Sequence, residues 1–279
     1  MVYSTDSIFL ILTYYTCIIA WDLIYLLLSF FKGWGSNPNT FFTTTVLNNT
    51  NSITGLTHIV IPILITILII WGIIWLISHK DLNSGIGKVS KILMPLLFIM
   101  MAFIVFYSLT LTGSSEGITA LFTPDWNALT NIDIWLAAFG QIVFSLSLGL
   151  CIMLTYASYL PDNIDLVKNG LIVAFTNSGF EVFSAIGIFG ILGFMSFSTG
   201  LPLNQVVTEG TGLAFVAFPN VFNAMGLIGY ILGPLFFLCL FFAGITSAIS
   251  LVEPISASIT EKFNMSRKEA VTYIVLLDF

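Results

Sequence analysis

Charge is what this chain has least of. Asp, Glu, Lys and Arg make up 8% of its 279 residues, where soluble chains carry about a quarter. With 57% hydrophobic residues and a mean hydropathy of +1.02, this is the composition of a polytopic membrane protein. No Lys/Arg cluster is present and the net charge is −6, so nothing is available to neutralise phosphates and a nucleic-acid partner is excluded. Cysteine is scarce too. Cys17, Cys151 and Cys239 sit singly in apolar runs and read as small hydrophobes rather than disulfides or metal ligands. Catalytic constellations are missing. His58 and His79 lie at the edges of apolar runs, no HExxH or paired-carboxylate motif occurs, and no nucleophile has a base near it. An enzyme is not expected.

What is present is a series of long apolar runs. Crossing a hydrocarbon core of about 30 Å takes about 20 apolar residues, and polar breaks divide the chain into spans at about 8–31, 57–78, 91–112, 135–159, 167–198 and 222–260. A seventh starts near 269 and runs only to Phe279, about 16 Å of helix at 1.5 Å per residue, so the chain reads as a single transmembrane domain incomplete at its carboxyl end. Loops holding Lys80, Lys88 and Lys91, then Lys168, then Lys262, Arg267 and Lys268 fall on one side. Such loops are cytoplasmic, which places the amino terminus inside and the protein in the cell membrane. The opposite loops carry Glu116, Asp125, Asp133 and Glu209 with Lys32 as their one basic residue. They also hold a glycosylation sequon, Asn48-Asn49-Thr50, of the kind that arises by chance in so Asn/Thr-rich a loop.

Polar groups at membrane depth are costly and point to function. Asn177 and Glu181 in TNSGFEVFSAIG are four apart and share a helix face; that face bonds a neighbouring helix or lines a cavity. In FFAGITSAISLVEP, Ala243, Thr246 and Ser247 follow i, i+3, i+4 spacing. They form either a packing surface or an oxygen-only cluster suited to a hard cation. The glycines of GIFGILG, three apart, read as packing. In FSLSLGLCIMLTYASY, Ser145 and Ser147 are about 200° apart on an ideal helix and cannot serve one face. A break at Gly149 would remove the contradiction and expose backbone groups that bind substrates and ions; a Ser/Gly kink is the simpler alternative. Tyr14 and Tyr15 lie deeper in the first span than an interfacial belt, so at least one hydroxyl needs a partner there.

Three of these segments together, YYTCIIAW, GQIVFSLSLGLCIMLTYASY and FFAGITSAISLVEP, resemble the neurotransmitter:sodium symporter family, in particular its bacterial amino-acid transporters of the leucine-transporter type. KVSKILMP, FTPDWNAL and NMSRKEAV agree as well. The resemblance covers essentially the whole chain and implies an all-α membrane protein with part of an inverted-repeat, broken-helix fold. Members have twelve spans, and this chain looks like the third to the start of the ninth, incomplete at both ends.

The resemblance also implies roles. Tyr15 matches the tyrosine that holds the substrate carboxylate, and Phe144 the lid over the substrate. Ser147 and Leu150 fall at pocket positions in the unwound helix, with Ile11, Ser247 and Leu251 on neighbouring helices. Leu150 departs from the aromatic often found there. Two sodium ions are implied, one at Ser145 and Asn177, the other at Ala243, Thr246 and Ser247. Glu181, with Gln141, Ser145 and Asn177 around it, matches the carboxylate that replaces chloride in chloride-independent members. Tyr159 and Glu261 match an intracellular gate, the longer acid standing for the usual aspartate. The implied activity is sodium-coupled import of a neutral, apolar amino acid by alternating access across a lipid bilayer, independent of chloride and with coupling to protons at Glu181. A sensor or scaffold that keeps the fold without transporting, or an inactive truncated fragment, is the rival reading.

Overall fold

The computed structural model describes residues 2–49, 59–82, 84–161, 163–206 and 210–278. His58, Thr50 of the sequon and Glu209 lie outside these residues. All regular structure among the described residues is helical, as a lipid environment demands, because a helix satisfies every backbone polar group within one segment. The α-helices are α1 (Val2–Ser29), α2 (Pro38–Thr40), α3 (Ile61–Ser78), α4 (Ile86–Ser108), α5 (Ser114–Phe122), α6 (Ile132–Ser145), α7 (Ile152–Ser158), α8 (Leu166–Thr199), α9 (Leu203–Val206), α10 (Phe218–Ala224), α11 (Gly229–Phe263) and α12 (Arg267–Asp278). Five of them, α1, α3, α4, α8 and α11, are long and apolar enough to cross a membrane.

Helix ends follow local chemistry. The Asp165 carboxylate accepts from the Lys168 backbone N–H at 3.0 Å and starts α8, a cap of about 1 kcal/mol. Gly200, at φ +69°, stops the same helix in the left-handed conformation that glycine adopts without penalty. Two expected spans are discontinuous. The run at 222–260 is interrupted at Gly226, φ +61°, which separates α10 from α11. The run at 135–159 is interrupted between α6 and α7.

Helix α1 lies along α11 and α3, α4 against α8 and α11, α5 against α8, and α12 against α11 and α3. The GIFGILG glycines do pack. A Cβ on Gly187 would stand 2.8 Å from Val105, one on Gly190 2.9 Å from Ser108, and one on Gly193 2.6 Å from the Gly113 carbonyl, so side-chain loss lets α8 approach α4 and α5 at backbone distance. Two buried clusters result. One joins Ile8 and Leu12 of α1 to Ile70 and Ile74 of α3, Val252 of α11 and Ile274 of α12. The other is aromatic, with Tyr25, Trp34, Phe215, Phe222 and Phe237, and stands at the far end of α1, where the long loops fold back over the bundle. Helix α6 buries none of its residues. It therefore stands at the edge of the described structure with its break facing the space between α1 and α11.

Candidate functional site

Three residues leave right-handed geometry between α6 and α7: Ser147 at φ +53°, Gly149 at +85° and Cys151 at +56°. They are alternate positions, and the alternation turns the chain without a regular helix. Gly149 adopts this conformation freely, while Ser147 and Cys151 each carry roughly 1 kcal/mol or more of strain. The Leu148 N–H reaches back to the Val143 carbonyl at 2.9 Å, and the Leu150 N–H makes only a long 3.4 Å bond to Ser147. The segment is thus the break that its serines and glycine call for, not a simple kink.

A cavity of about 380 Å³ opens at this break. Its walls contain all seven expected substrate residues: Ile11 and Tyr15 from α1, Phe144, Ser147 and Leu150 from the break, and Ser247 and Leu251 from α11. Ser145 and Thr246 of the expected sodium sets are on its wall as well. Its polar groups include the Tyr15 hydroxyl, beside the Ser247 side chain, and the Tyr156 hydroxyl, which donates to Ser250 Oγ at 3.0 Å. Ile11, Leu150 and Leu251 add apolar surface to the lining. A lining of both kinds suits a small ligand with one charged and one apolar end.

The groups expected to hold sodium fall into two clusters. Asn177 Nδ2 donates to Glu181 Oε1 at 3.0 Å and stands 3.4 Å from Ser145 Oγ, so one amide joins the break to the carboxylate on α8. Gln141 is exposed and makes no side-chain hydrogen bond to this pair among the described residues. In the second cluster the Thr246 hydroxyl donates to the Ala243 carbonyl at 3.0 Å and the Phe242 carbonyl at 2.9 Å. Carbonyl and hydroxyl oxygens therefore converge on one side of α11, a donor set fitting a hard cation. Among the described residues no three His, Cys, Asp or Glu side chains gather as a metal cluster.

Tyr159 and Glu261 are not brought together. The Tyr159 hydroxyl instead donates to Glu253 Oε1 at 3.0 Å, and Glu253 is fully buried against the Arg267 guanidinium, with 2.6 Å from Nη1 to Oε1 and from Nη2 to Oε2. Glu261 is exposed and lines a separate space of about 170 Å³ with Cys151, Thr155 and Ser158. Sequence reasoning also passes over Asp22, which is 4% exposed on α1. The signal for both acids is the one that singles out Glu181, a carboxylate inside an apolar run.

The Sodium:neurotransmitter symporter family model matches residues 33–279. An uncharacterized sodium-dependent transporter of Methanocaldococcus jannaschii is 41% identical over 275 residues, covering 99% of this chain and 56% of its own length. The sodium- and chloride-dependent glycine transporter 2 of Xenopus laevis is 30% identical over 68% of this chain and 24% of its own length. Among solved structures, MhsT in complex with L-phenylalanine superposes with a TM-score of 0.80 at 33% identity, over 99% of this chain and 59% of that one. This chain spans about half the length of its archaeal relative. Its all-helical fold is that of the leucine-transporter type, and this multi-pass membrane chain belongs to the sodium:neurotransmitter symporter family, a family of transporters rather than enzymes.

Proposed function

We propose that this chain forms the central part of a sodium-coupled symporter that imports a neutral, apolar amino acid by alternating access and does not require chloride. The observation carrying the reading is the 380 Å³ cavity at the helix break, whose lining combines the hydroxyl residues Tyr15, Ser147 and Ser247 with the apolar side chains of Ile11, Leu150 and Leu251. An amino acid whose carboxylate meets Tyr15 would lay its side chain against the apolar wall, and Phe144 would cover it. The phenylalanine bound to MhsT is a ligand of this type. Two sodium ions would occupy the Ser145–Asn177 and Ala243–Thr246–Ser247 sets, completed by groups beyond these residues. Partly unwound backbone and hydroxyls replace an ion's water shell without placing fixed charge in lipid.

Chloride independence rests on Glu181, whose carboxylate is bonded to Asn177 beside Ser145. Ionised, it supplies the negative charge that balances sodium; protonated, it lets the empty carrier return. Alternating access would involve Tyr159, and Glu261 on the inner wall. The basic loops at Lys80–Lys91, Lys168 and Lys262–Lys268 put the amino terminus of the chain in the cytoplasm of a cell with the protein in its plasma membrane.

The test is uptake by the complete gene product in proteoliposomes. An inward sodium gradient should drive accumulation of labelled leucine or phenylalanine, unchanged when gluconate replaces chloride. Amino-acid binding without sodium-driven accumulation would overturn transport and favour a sensor.

A further inference from the structure

The Asp22 carboxylate is 4% exposed, and neither of its oxygens has a hydrogen-bond partner among the described residues. It lies on α1 seven residues beyond Tyr15, about 10 Å along the helix axis. Asp22, Ile18, Ile19 and Tyr15 form one wall of a cavity of about 310 Å³. Leu240, Ala243 and Gly244 of α11 form another, and Gly210, Thr211, Ala214 and Phe215 close it. An uncompensated buried carboxylate costs several kcal/mol, and a bound cation would offset that cost. None of the eight Lys and Arg residues lines the cavity. Lys32, the basic residue nearest in sequence, donates to the Gly226 carbonyl at 2.7 Å and sits over the Tyr230 ring.

We propose that Asp22 and the cavity it faces form a third cation site, a staging position through which sodium reaches the Ala243–Thr246–Ser247 set. The inference rests on the sodium-symport reading of that set. Tyr15 lines both this cavity and the 380 Å³ cavity, Ala243 lines the first, and Thr246 and Ser247, one turn farther along α11, line the second. A cation released by Asp22 therefore has about 10 Å to travel along α1 to the Tyr15 wall that the two cavities share. Space for a hydrated ion exists, since 310 Å³ corresponds to about ten water molecules at roughly 30 Å³ each. Apart from the carboxylate, the side-chain oxygens on the wall are those of Tyr15 and Thr211. Too few protein oxygens surround the ion to strip its water, and binding is weaker than at the final site, which suits a site of passage.

The experiment measures radioactive sodium binding to the complete gene product in detergent, both its association rate and its equilibrium isotherm. Asp22→Asn should slow association about tenfold, the lower end of what electrostatic focusing provides, and remove a low-affinity component while leaving the tight one. Ala214→Leu, which fills the cavity and keeps the carboxylate, should do the same, and Asp22→Glu should restore the fast rate. Unchanged rate and isotherm in well-folded Asp22→Asn or Ala214→Leu protein overturn the proposal. So does Asp22-dependent binding of n-butylammonium in place of sodium, or an Asp22-dependent proton release with sodium binding unaltered. Absence of any sodium binding to the unmodified protein would instead defeat the symporter reading itself.

Discussion

Arg267, at the start of α12, meets Glu253 of α11 through two parallel 2.6 Å contacts. The same guanidinium donates from Nε to the Ser78 and Lys80 carbonyls at 2.9 Å, so one side chain neutralises a buried acid and caps the end of α3. Tyr159 adds its hydroxyl to the acid. Four helices, α3, α7, α11 and α12, thus meet at one ion pair.

Removing Arg267 should therefore be expensive. The Glu253 side chain is 1% exposed and that of Arg267 21%, so Arg267→Ala leaves a buried charge while partial solvation of the arginine tempers the loss. About 2–3 kcal/mol is expected, below the 3–5 of a fully buried pair. Glu253→Gln should cost less, because an amide still accepts from Tyr159, and the double variant should cost less than the sum of the two. Thermal unfolding in detergent measures the cycle; additivity would mean that the pair is not coupled.

At Glu181 the expected outcome is a change of ion requirement. Its Oε1 accepts from Asn177, which also stands beside Ser145, so Glu181→Ser leaves the proposed sodium site one negative charge short. A small anion can take the vacated position. Uptake by the variant should then fall in gluconate and recover in chloride, and chloride-indifferent uptake would falsify the carboxylate's assigned part.

The packing of α5 on α8 gives a stability test independent of transport. A Cβ at Gly117 would lie 1.8 Å from the Phe189 carbonyl oxygen. Backbone cannot yield as a flexible side chain does, so Gly117→Ala should destabilise by about 1–3 kcal/mol. A Cβ at Gly140 on α6 meets nothing within 4 Å, and Gly140→Ala should be neutral or mildly stabilising because alanine favours the helix by up to about 1 kcal/mol. Equal unfolding temperatures for both variants would contradict the close contact.

These cases separate what the sequence makes legible from what it does not. The break at Ser147–Cys151 is legible because serine and glycine on alternate positions are incompatible with one helix face, and the conformations at 147, 149 and 151 alternate in the same way. The α8 glycines are legible for a similar reason, their spacing having no other use in lipid. The partner of Tyr159 is not. Glu253 and Glu261 are eight residues apart on α11, about 80° around the helix, and periodicity cannot choose between them; Arg267, from a different helix, makes the choice. Nor are the π-helical turns at Phe41–Val46 and Leu213–Ala217, which accompany the stacking of Phe42 on Phe215 at 5.4 Å, a contact between loops far apart in the chain. Asp22 could have been found by its depth alone, but its lack of a partner is visible only in three dimensions.

Substrate size should be set at Leu150. This side chain comes from the break itself and lines the 380 Å³ cavity together with Ile11 and Leu251, where a ligand's side chain would lie. Leu150→Phe adds bulk on that wall without altering a hydroxyl or the positive φ of its neighbours. Overfilling a packed apolar site costs about 1–3 kcal/mol, or roughly ten- to a hundredfold in affinity, and the cost should fall on large side chains alone. Inhibition of labelled alanine uptake by phenylalanine, leucine and unlabelled alanine measures this. Phenylalanine should weaken most in Leu150→Phe, and alanine should hold its affinity or gain from the added contact. A uniform loss for all three would show that the substitution disturbs the break rather than the pocket, and an unchanged order of affinities would place the substrate's side chain against another wall.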